Sequence, residues 1–440
     1  MPDIGDDSMS ESETKRPRLA NDNIDENTNI NNDNSTAPVI NSLDPSINVP
    51  TIESFSSIPV PDWDYNDRII LAPMVRLNTL PFRLLCRSYG CSMLYSEELI
   101  ANKIKLCERR INKEKNLIEF IQTKNNEGKL ISSQINQQQP VFVTYSNEPV
   151  VFQMGANNAV TALEAALVVA NDVRAIDLNM GCPERFSVEG GMGSALLKQP
   201  ELAADILSTL RRNLPSSLPI TCKIRILEND RDTIELMKRL EMSGIAAIAI
   251  HARYVPDRPA RVRAMKEKMK LLIENVNIPC IYNGDIFYPD DINKTKELTG
   301  ISNLMIARGA MWNATIFQLN DKNLLPVYNV ANSYLNIASH YQHTFTNTKY
   351  CLMEMIKIHV SQTSAFKLIS QAKSFVNLYQ SFQQLKFELN ELVNNNNVLV
   401  NSSSTKRELY QRFIAGPYTS PIINWEIRPN LPTIDFIPTT

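Results

Sequence analysis

Cys182 sits between Gly181 and Pro183, just past the apolar run 175-AIDLNM-180 and ahead of Gly190, Gly191 and Gly193. The chain has only 13 glycines in 440 residues, so this concentration marks a loop that turns tightly or admits a ligand. A thiol with its ordinary pKa of about 8.5 keeps its proton at neutral pH and can donate it as a general acid. Cys86, Cys91, Cys222 and Cys280 lie inside apolar periodic stretches, where packing accounts for them. The seven cysteines form no C-x-x-C pair, which fits neither a disulfide framework nor an iron–sulfur or zinc site. A reducing compartment and no metal are the expectation.

Other reactive side chains share this habit of following an apolar run. They are Pro73 and Met74, Glu97 and Glu98, Gln153, Asn179, Lys223 and Arg225, His251 and Arg253, Asn283, Gly284 and Asp285, and Ala307, Arg308 and Gly309. In 220-ITCKIRI-226 the two cations alternate with apolar residues, so both point to one face of a strand. Buried there, they need an anion or an electron-rich ring, or else an ion pair with Glu97, Asp177 or Asp285. His251 is one of four histidines and fits a structural role as well as a chemical one. Arg308 between Ala307 and Gly309 suits a phosphate, which a bidentate guanidinium and close backbone would hold; a turn with a surface arginine is the plain alternative.

These residues need elements to position them. Eight apolar runs begin near residues 68, 92, 150, 175, 220, 246, 280 and 303, with helical periodicity between most of them, as in 159–170, 201–212 and 232–244. Strands alternating with helices in this way predict a (β/α)8 barrel over 63–325, whose strand ends face the active site. A doubly wound sheet would carry a G-x-G-x-x-G turn after its first strand, and none is present. The polar stretch 110–149 reads as a flexible insertion with a hairpin at 141–145 turning at 146–149. Residues 330–415 read as a small helical domain and 416–440 as an irregular tail. Residues 1–62 have the composition of a disordered acidic tail.

Charge divides the chain. Residues 1–67 hold 14 acidic and 3 basic residues, which leaves 42 basic and 33 acidic residues in 68–440, a net of +9. The folded part can therefore attract a polyanion. No apolar run is long enough to span a membrane. The cluster 15-KRPR-18 has the form of a nuclear import signal, so the cytoplasm, the nucleus or both are expected.

The set 71-LAPM-74, 97-EEL-99, 153-QMG-155, 177-DLNMGCP-183, 190-GGMGSALL-197, 222-CKIR-225, 250-IHAR-253, 283-NGD-285 and 307-ARGAMWN-313 resembles the tRNA-dihydrouridine synthases. It is most similar to the eukaryotic branch acting on uridine 20 and covers about 68–320 in order. The resemblance implies FMN and NADPH, hydride delivery to uracil C6, and protonation of C5 by Cys182. It implies FMN contacts at Pro73, Met74, Gln153, Lys223, His251, Asn283, Gly284, Asp285, Ala307, Arg308 and Gly309. Asn179, Arg225 and Arg253 would hold the uracil, which must leave its stack to reach a flavin. The animal members' double-stranded-RNA-binding domain has no counterpart here. Lys349, Lys357, Lys367 and Lys373 and the run from Arg253 to Lys270 are the expected tRNA contacts, in a monomer. A flavin barrel acting on free pyrimidine or dihydroorotate is the competing reading.

Overall fold

Short apolar runs between turn residues become strands when a barrel covers both their faces. The chain forms β1 (Ile69–Leu71), β2 (Met93–Tyr95), β3 (Leu99–Ile100), β4 (Cys107–Asn112), β5 (Leu117–Gln122) and β6 (Phe142–Thr144). It continues with β7 (Val150–Gly155), β8 (Ala175–Met180), β9 (Ile220–Arg225), β10 (Ala247–His251), β11 (Cys280–Asn283) and β12 (Asn303–Ile306). The structure is a computed structural model and describes residues 51–56, 64–125, 127–130, 139–257, 262–319 and 324–394, with four positions between 410 and 414. The cluster 15–18 and the segment 416–440 lie outside them.

β1, β2 and β7 to β12 are parallel and close into a ring, because β1 pairs with both β2 and β12 while β2 pairs with β7. Helices follow the strands, among them Leu80–Ser88, Ala159–Val169, Pro200–Asn213, Asp230–Met242 and Pro289–Thr299. This is the (β/α)8 barrel expected from the strand rhythm. Its interior holds Ile70, Met93, Tyr95, Val151, Ile281 and Met305 with three alanines from β8 and β10. A second apolar layer lies between strands and helices and continues into the C-terminal helices.

Register arranges the polar residues in levels. Gln153, Asp177 and Thr221 are successive partners, Asn179 pairs with Lys223, and His251 stands level with Arg225 and Asn283. Thr221, Lys223 and Arg225 alternate on β9, so all three point into the barrel.

The insertion differs from expectation. The hairpin is β4–β5, turning through 113–116, and 142–144 adds β6 to β5 as a third antiparallel strand. β5 buries Leu117, Ile118, Phe120 and Ile121, and Phe142 stacks on Phe120 at 5.5 Å while meeting Phe152 of the barrel edge-on at 5.2 Å. Its polar turn and flanks dilute this core in the composition. The expected acidic tail is also too long. Ile52–Ser56 is helical, with Ile52 and Phe55 buried and Phe55 against the Tyr145 ring.

Past the barrel come the helices Val327–His340, Phe345–Val360, Ser364–Gln371 and Phe375–Asn394. The apolar stretch 350–385 is not one helix, because Thr363 caps a new one and the chain turns again at 372–374. Asn347 donates to the Arg76 carbonyl at 2.9 Å, Cys351 donates to it at 3.4 Å, and the Arg76 guanidinium lies 4.0 Å over the Tyr350 ring. The loop after β1 is thereby fastened to the helical region.

The turn 146–149 carries Glu148, whose carboxylate is sealed from solvent with Arg83 of the helix Leu80–Ser88. Arg83 donates to both Glu148 oxygens, at 2.7 and 3.1 Å, and to the carbonyls of Asn78 and Val143. Removing one partner leaves an uncompensated buried charge, so Glu148→Gln should lower unfolding stability by about 3 kcal/mol, read from urea denaturation. The double change Arg83→Met, Glu148→Leu should recover part of that loss; an undiminished single variant would show the pair to be incidental.

Candidate functional site

The centre of the barrel mouth is a chain of hydrogen bonds. Asp177, fully buried on β8, accepts from Thr221 Oγ1 at 2.6 Å and from Gln153 Nε2 at 2.8 Å. The Gln153 carbonyl oxygen accepts from Asn179 Nδ2 at 3.2 Å. Asn179 Oδ1 accepts from the backbone N–H groups of Gly181 and Cys182, at 2.9 and 3.0 Å. The loop carrying the thiol is therefore placed by side chains of three strands. Burial pushes the Asp177 pKa up to about 6, against its two hydrogen bonds and the Lys223 charge.

Cys182 is half-buried, and burial followed by the negative charge of Glu98 pushes its thiol up to about 12. It is thus a proton donor at neutral pH. The Cys182 carbonyl accepts from Ser194 N at 2.9 Å, folding the far end of the loop back. Gly193, with φ of 55°, has no room for a Cβ, which would meet the Ser187 hydroxyl and the Cys182 backbone.

Lys223 and Arg225 do not make the ion pairs with Glu97, Asp177 or Asp285 that the sequence left open. Arg225 donates to the carbonyls of Gly181, Tyr254 and Asp257, at 2.9, 2.9 and 3.3 Å, and ties the Cys182 loop to the loop after β10. Lys223 has no hydrogen-bond or ion-pair partner among the described residues. Burial and then Arg225 pull its pKa down to about 8.

On the opposite wall, Asp285 is the hub. It accepts from Arg253 at 2.5 and 2.6 Å, from Arg308 at 2.7 Å and from Ala264 N at 2.7 Å. Arg253 is 1% exposed and also donates to the Val262 carbonyl. Asp285 and Arg253, expected at cofactor and uracil, pair with each other, and Asp285 also holds Arg308, which lies beside the stacked Phe287 and Trp312 rings at 5.1 and 5.8 Å. Asn283 donates to the Met305 carbonyl at 2.9 Å. Gly309 is obligatory, since a Cβ would run into the Ile286 carbonyl oxygen. Pro73 and Met74 lie half-buried at the end of β1, and Ala307, Arg308 and Gly284 at the ends of β12 and β11. These bring the expected set to one end of the barrel.

Glu98, Ser187 and Asp177 are the residues left out of that expected set. Glu98 precedes β3, is 7% exposed, and accepts from Ser187 Oγ at 3.4 Å. Its signal in the sequence was position alone, a carboxylate ending a strand where other strands also end in polar residues.

The expected polyanion contacts are partly committed. Lys349 Nζ donates to the carbonyls of Ser370 and Ala372, and Lys357 pairs with Glu354. Lys268 pairs with Asp230, and Lys266 donates to Thr295. Lys367, Lys373 and Lys270 are exposed, whereas positions 258–261 lie outside the described residues.

His251 Nε2 lies 3.0 Å from Arg253 Nη1. A guanidinium can only donate, so Nε2 accepts and the ring proton sits on Nδ1. Burial, then Lys223, Arg225, Arg253 and Arg308, hold its pKa well below the usual range. A depressed histidine stays neutral until the pH falls far below its ordinary midpoint, so nitrogen-15 spectra should show His251 as the neutral Nδ1–H tautomer throughout pH 5.5–8. Titration near pH 6.5 would contradict this geometry.

Residues 70–403 match the dihydrouridine synthase family. The tRNA-dihydrouridine(20) synthase (NAD(P)+) of Schizosaccharomyces pombe is 32% identical over 330 residues, 73% of this chain and 66% of that protein. The protein of the same name from Saccharomyces cerevisiae is 33% identical over 310 residues, covering 66% of this chain and 78% of its own. A mouse tRNA-dihydrouridine(20a/20b) synthase (NAD(P)+)-like protein is 31% identical over 250 residues, 56% of this chain and 68% of its own. The family match runs from β1 through the last long helix, and on it this chain belongs to the dihydrouridine synthase family.

Proposed function

We propose that the protein reduces the C5–C6 bond of uridine in tRNA, at position 20, with FMN as the hydride carrier and NADPH as the reductant. The observation that carries this reading is Lys223, a half-buried cation without a hydrogen-bond or ion-pair partner among the described residues, level with Asn179. Such a cation is costly unless an anion or electron-rich ring lies against it, which a flavin supplies. Position 20 follows from the names of the two yeast relatives.

Pro73, Met74, Gln153, Lys223, His251, Asn283 and Gly284 would hold the flavin, and Ala307, Arg308 and Gly309 its phosphate. Arg308 keeps some exposure on the mouth side, and its pKa is drawn down to about 10, chiefly by burial, with Asp285 opposing. Bound FMN, once reduced, supplies the hydride that reaches C6. Asn179 presents its amide to the extruded uracil while its carbonyl oxygen stays on the Cys182 loop. The Cys182 S–H bond breaks as the C5–H bond forms, and the thiolate left behind regains its proton from water. Arg225 contributes by anchoring the loop carbonyl and not by touching the base. The net positive charge of 68–440 draws the tRNA backbone toward the mouth.

The test uses the FMN-loaded protein, NADPH and tRNA lacking dihydrouridine, with product mapped by position. Reduction at position 20 is expected. Turnover of free uracil without tRNA would favour the small-molecule reading, and reduction elsewhere in the tRNA would remove the position. Cys182→Ala should keep its flavin and lower the rate by about 10²–10⁴, the usual worth of a positioned general acid. Asp177→Asn replaces an obligate acceptor by an amide and lets Gln153 turn over. It should lower kcat by about tenfold to a hundredfold with flavin content and KM little changed.

A further inference from the structure

Glu98 is a buried carboxylate that none of the steps above employs. The pairing of β3 with β7 sets its position, since Leu99 and Ile100 lie opposite Met154 and Gly155. Its Oε1 accepts the weak Ser187 hydrogen bond, and its Oε2 is buried without any hydrogen-bond donor. Space for it exists because residue 155 is glycine: a Cβ there would stand 2.7 Å from Oε1. No ion pair involves Glu98 among the described residues. A carboxyl group in that condition is expensive to keep charged unless it serves a neighbour.

That neighbour is Cys182. The Ser187 hydroxyl bonded to Glu98 also shares a tight space with Cys182, since a Cβ at Gly193 would stand 2.4 Å from the Ser187 Oγ and 3.0 Å from the Cys182 Cβ. Thiol and carboxylate also bear on each other electrostatically, the negative charge of Glu98 raising the thiol. The nearest strong cation on this side of the mouth, Lys223, bears on both groups, and Arg225 is turned away onto carbonyls. Thiol and carboxylate therefore form one acid pair with a hydroxyl between them.

We infer that Glu98 is a positioning residue for the proposed reaction, holding the Cys182 proton in place until the uracil ring takes it. The inference rests on the reading that Cys182 protonates C5. A carboxylate beside a thiol opposes formation of thiolate, and the low-dielectric surroundings strengthen that opposition. The thiol then stays protonated, and unreactive as a nucleophile, until a carbanion centre arrives. When the S–H proton passes to C5, the pair is one proton short and regains it from water. Ser187 keeps the carboxylate turned toward the thiol.

Both acids are shifted upward, Glu98 mainly by burial and the thiol by burial and then by Glu98. Removing the charge while keeping the shape should lower the thiol pKa. The experiment is alkylation of Cys182 by iodoacetamide in the FMN-loaded protein without tRNA, followed by peptide mass spectrometry between pH 7 and 9.5. Glu98→Gln should alkylate faster than the parent, by about threefold for each unit the thiol pKa falls, because thiolate fraction rises tenfold while its nucleophilicity drops. Glu98→Asp, which restores the charge, should return the rate toward the parent value. In the tRNA assay the high-pH limb of the Glu98→Gln rate profile should move to lower pH, a change that mere loosening of the loop does not produce.

Equal alkylation of parent and Glu98→Gln, with flavin absorbance and melting temperature preserved, would overturn the inference. If Glu98→Gln loses its flavin, Ser187→Ala replaces it; the carboxylate then turns from the thiol, and faster alkylation supports the pair while an unchanged rate refutes it. The alkylation readout needs no turnover. Faster alkylation of Glu98→Gln in a protein that reduces no tRNA would uphold the acid pair and bring down the reaction assignment instead.

Discussion

The site depends on the ionised state of Asp177. A carboxylate can only accept hydrogen bonds, so Thr221 and the Gln153 amide must both turn their hydrogens toward it. With its nitrogen committed, Gln153 can offer Asn179 only an oxygen, and Asn179 must donate through its own nitrogen. That leaves the Asn179 oxygen for the backbone N–H groups of Gly181 and Cys182. Amide orientation is ordinarily ambiguous, but here each link is dictated by the one beneath it. One buried charge at the middle of the barrel thus fixes the polarity of the Asn179 amide and the seat of the thiol together.

The cations around this chain are sorted by what they find. Arg253 and Arg308 share Asp285, and Arg225 donates to backbone carbonyls. Lys223 reaches the mouth without a hydrogen-bond or ion-pair partner among the described residues. A lysine suits that place better than arginine would, because its point charge shifts its pKa readily and here rests near 8. Four cations near His251 also explain why an imidazole at the rim stays neutral. With its cations only partly paired, on Asp285 and on backbone carbonyls, the mouth is electropositive, and such a field draws anions toward it.

Much of the barrel was legible because β8 to β12 are apolar runs with polar ends, and burial on both faces selects for that pattern. The inward set on β9 was legible too, from the alternation of Thr221, Lys223 and Arg225. What Arg225 binds was not, since the acceptors are backbone carbonyls of Gly181 and of a loop remote in sequence. Asp285 reads as a ligand-facing residue beside Asn283 and Gly284, and its pairing with Arg253 and Arg308 could not be read from the sequence because both arginines are remote from it. The β4–β6 sheet was hidden because its core is only a few side chains, closed by Phe142 against Phe152 of the barrel. Glu98 was visible at a strand end, but its tie to Cys182 runs through Ser187, a loop serine with no distinguishing context.

The two loops that flank the mouth are held differently. The loop after β1 is fastened by Glu97, which accepts from Arg76 N at 2.7 Å, and by Asn347, Cys351 and Tyr350 of the helix Phe345–Val360. Those contacts over-determine Arg76 at a φ of 64°, and they make the helical region part of the wall that carries Pro73 and Met74. The Cys182 loop is fixed by Asn179 and Arg225 at the start and Ser194 at the finish, with lighter ties between them from Ser187 to Glu98 and from Asn157 to the Gly190 carbonyl at 3.0 Å. Its short helix Arg185–Glu189 exposes Phe186 and Val188 to solvent, at 47% and 39%. Apolar groups left uncovered at the tip of this loop, opposite a wall braced by the helical region, put the adaptable surface on the thiol side.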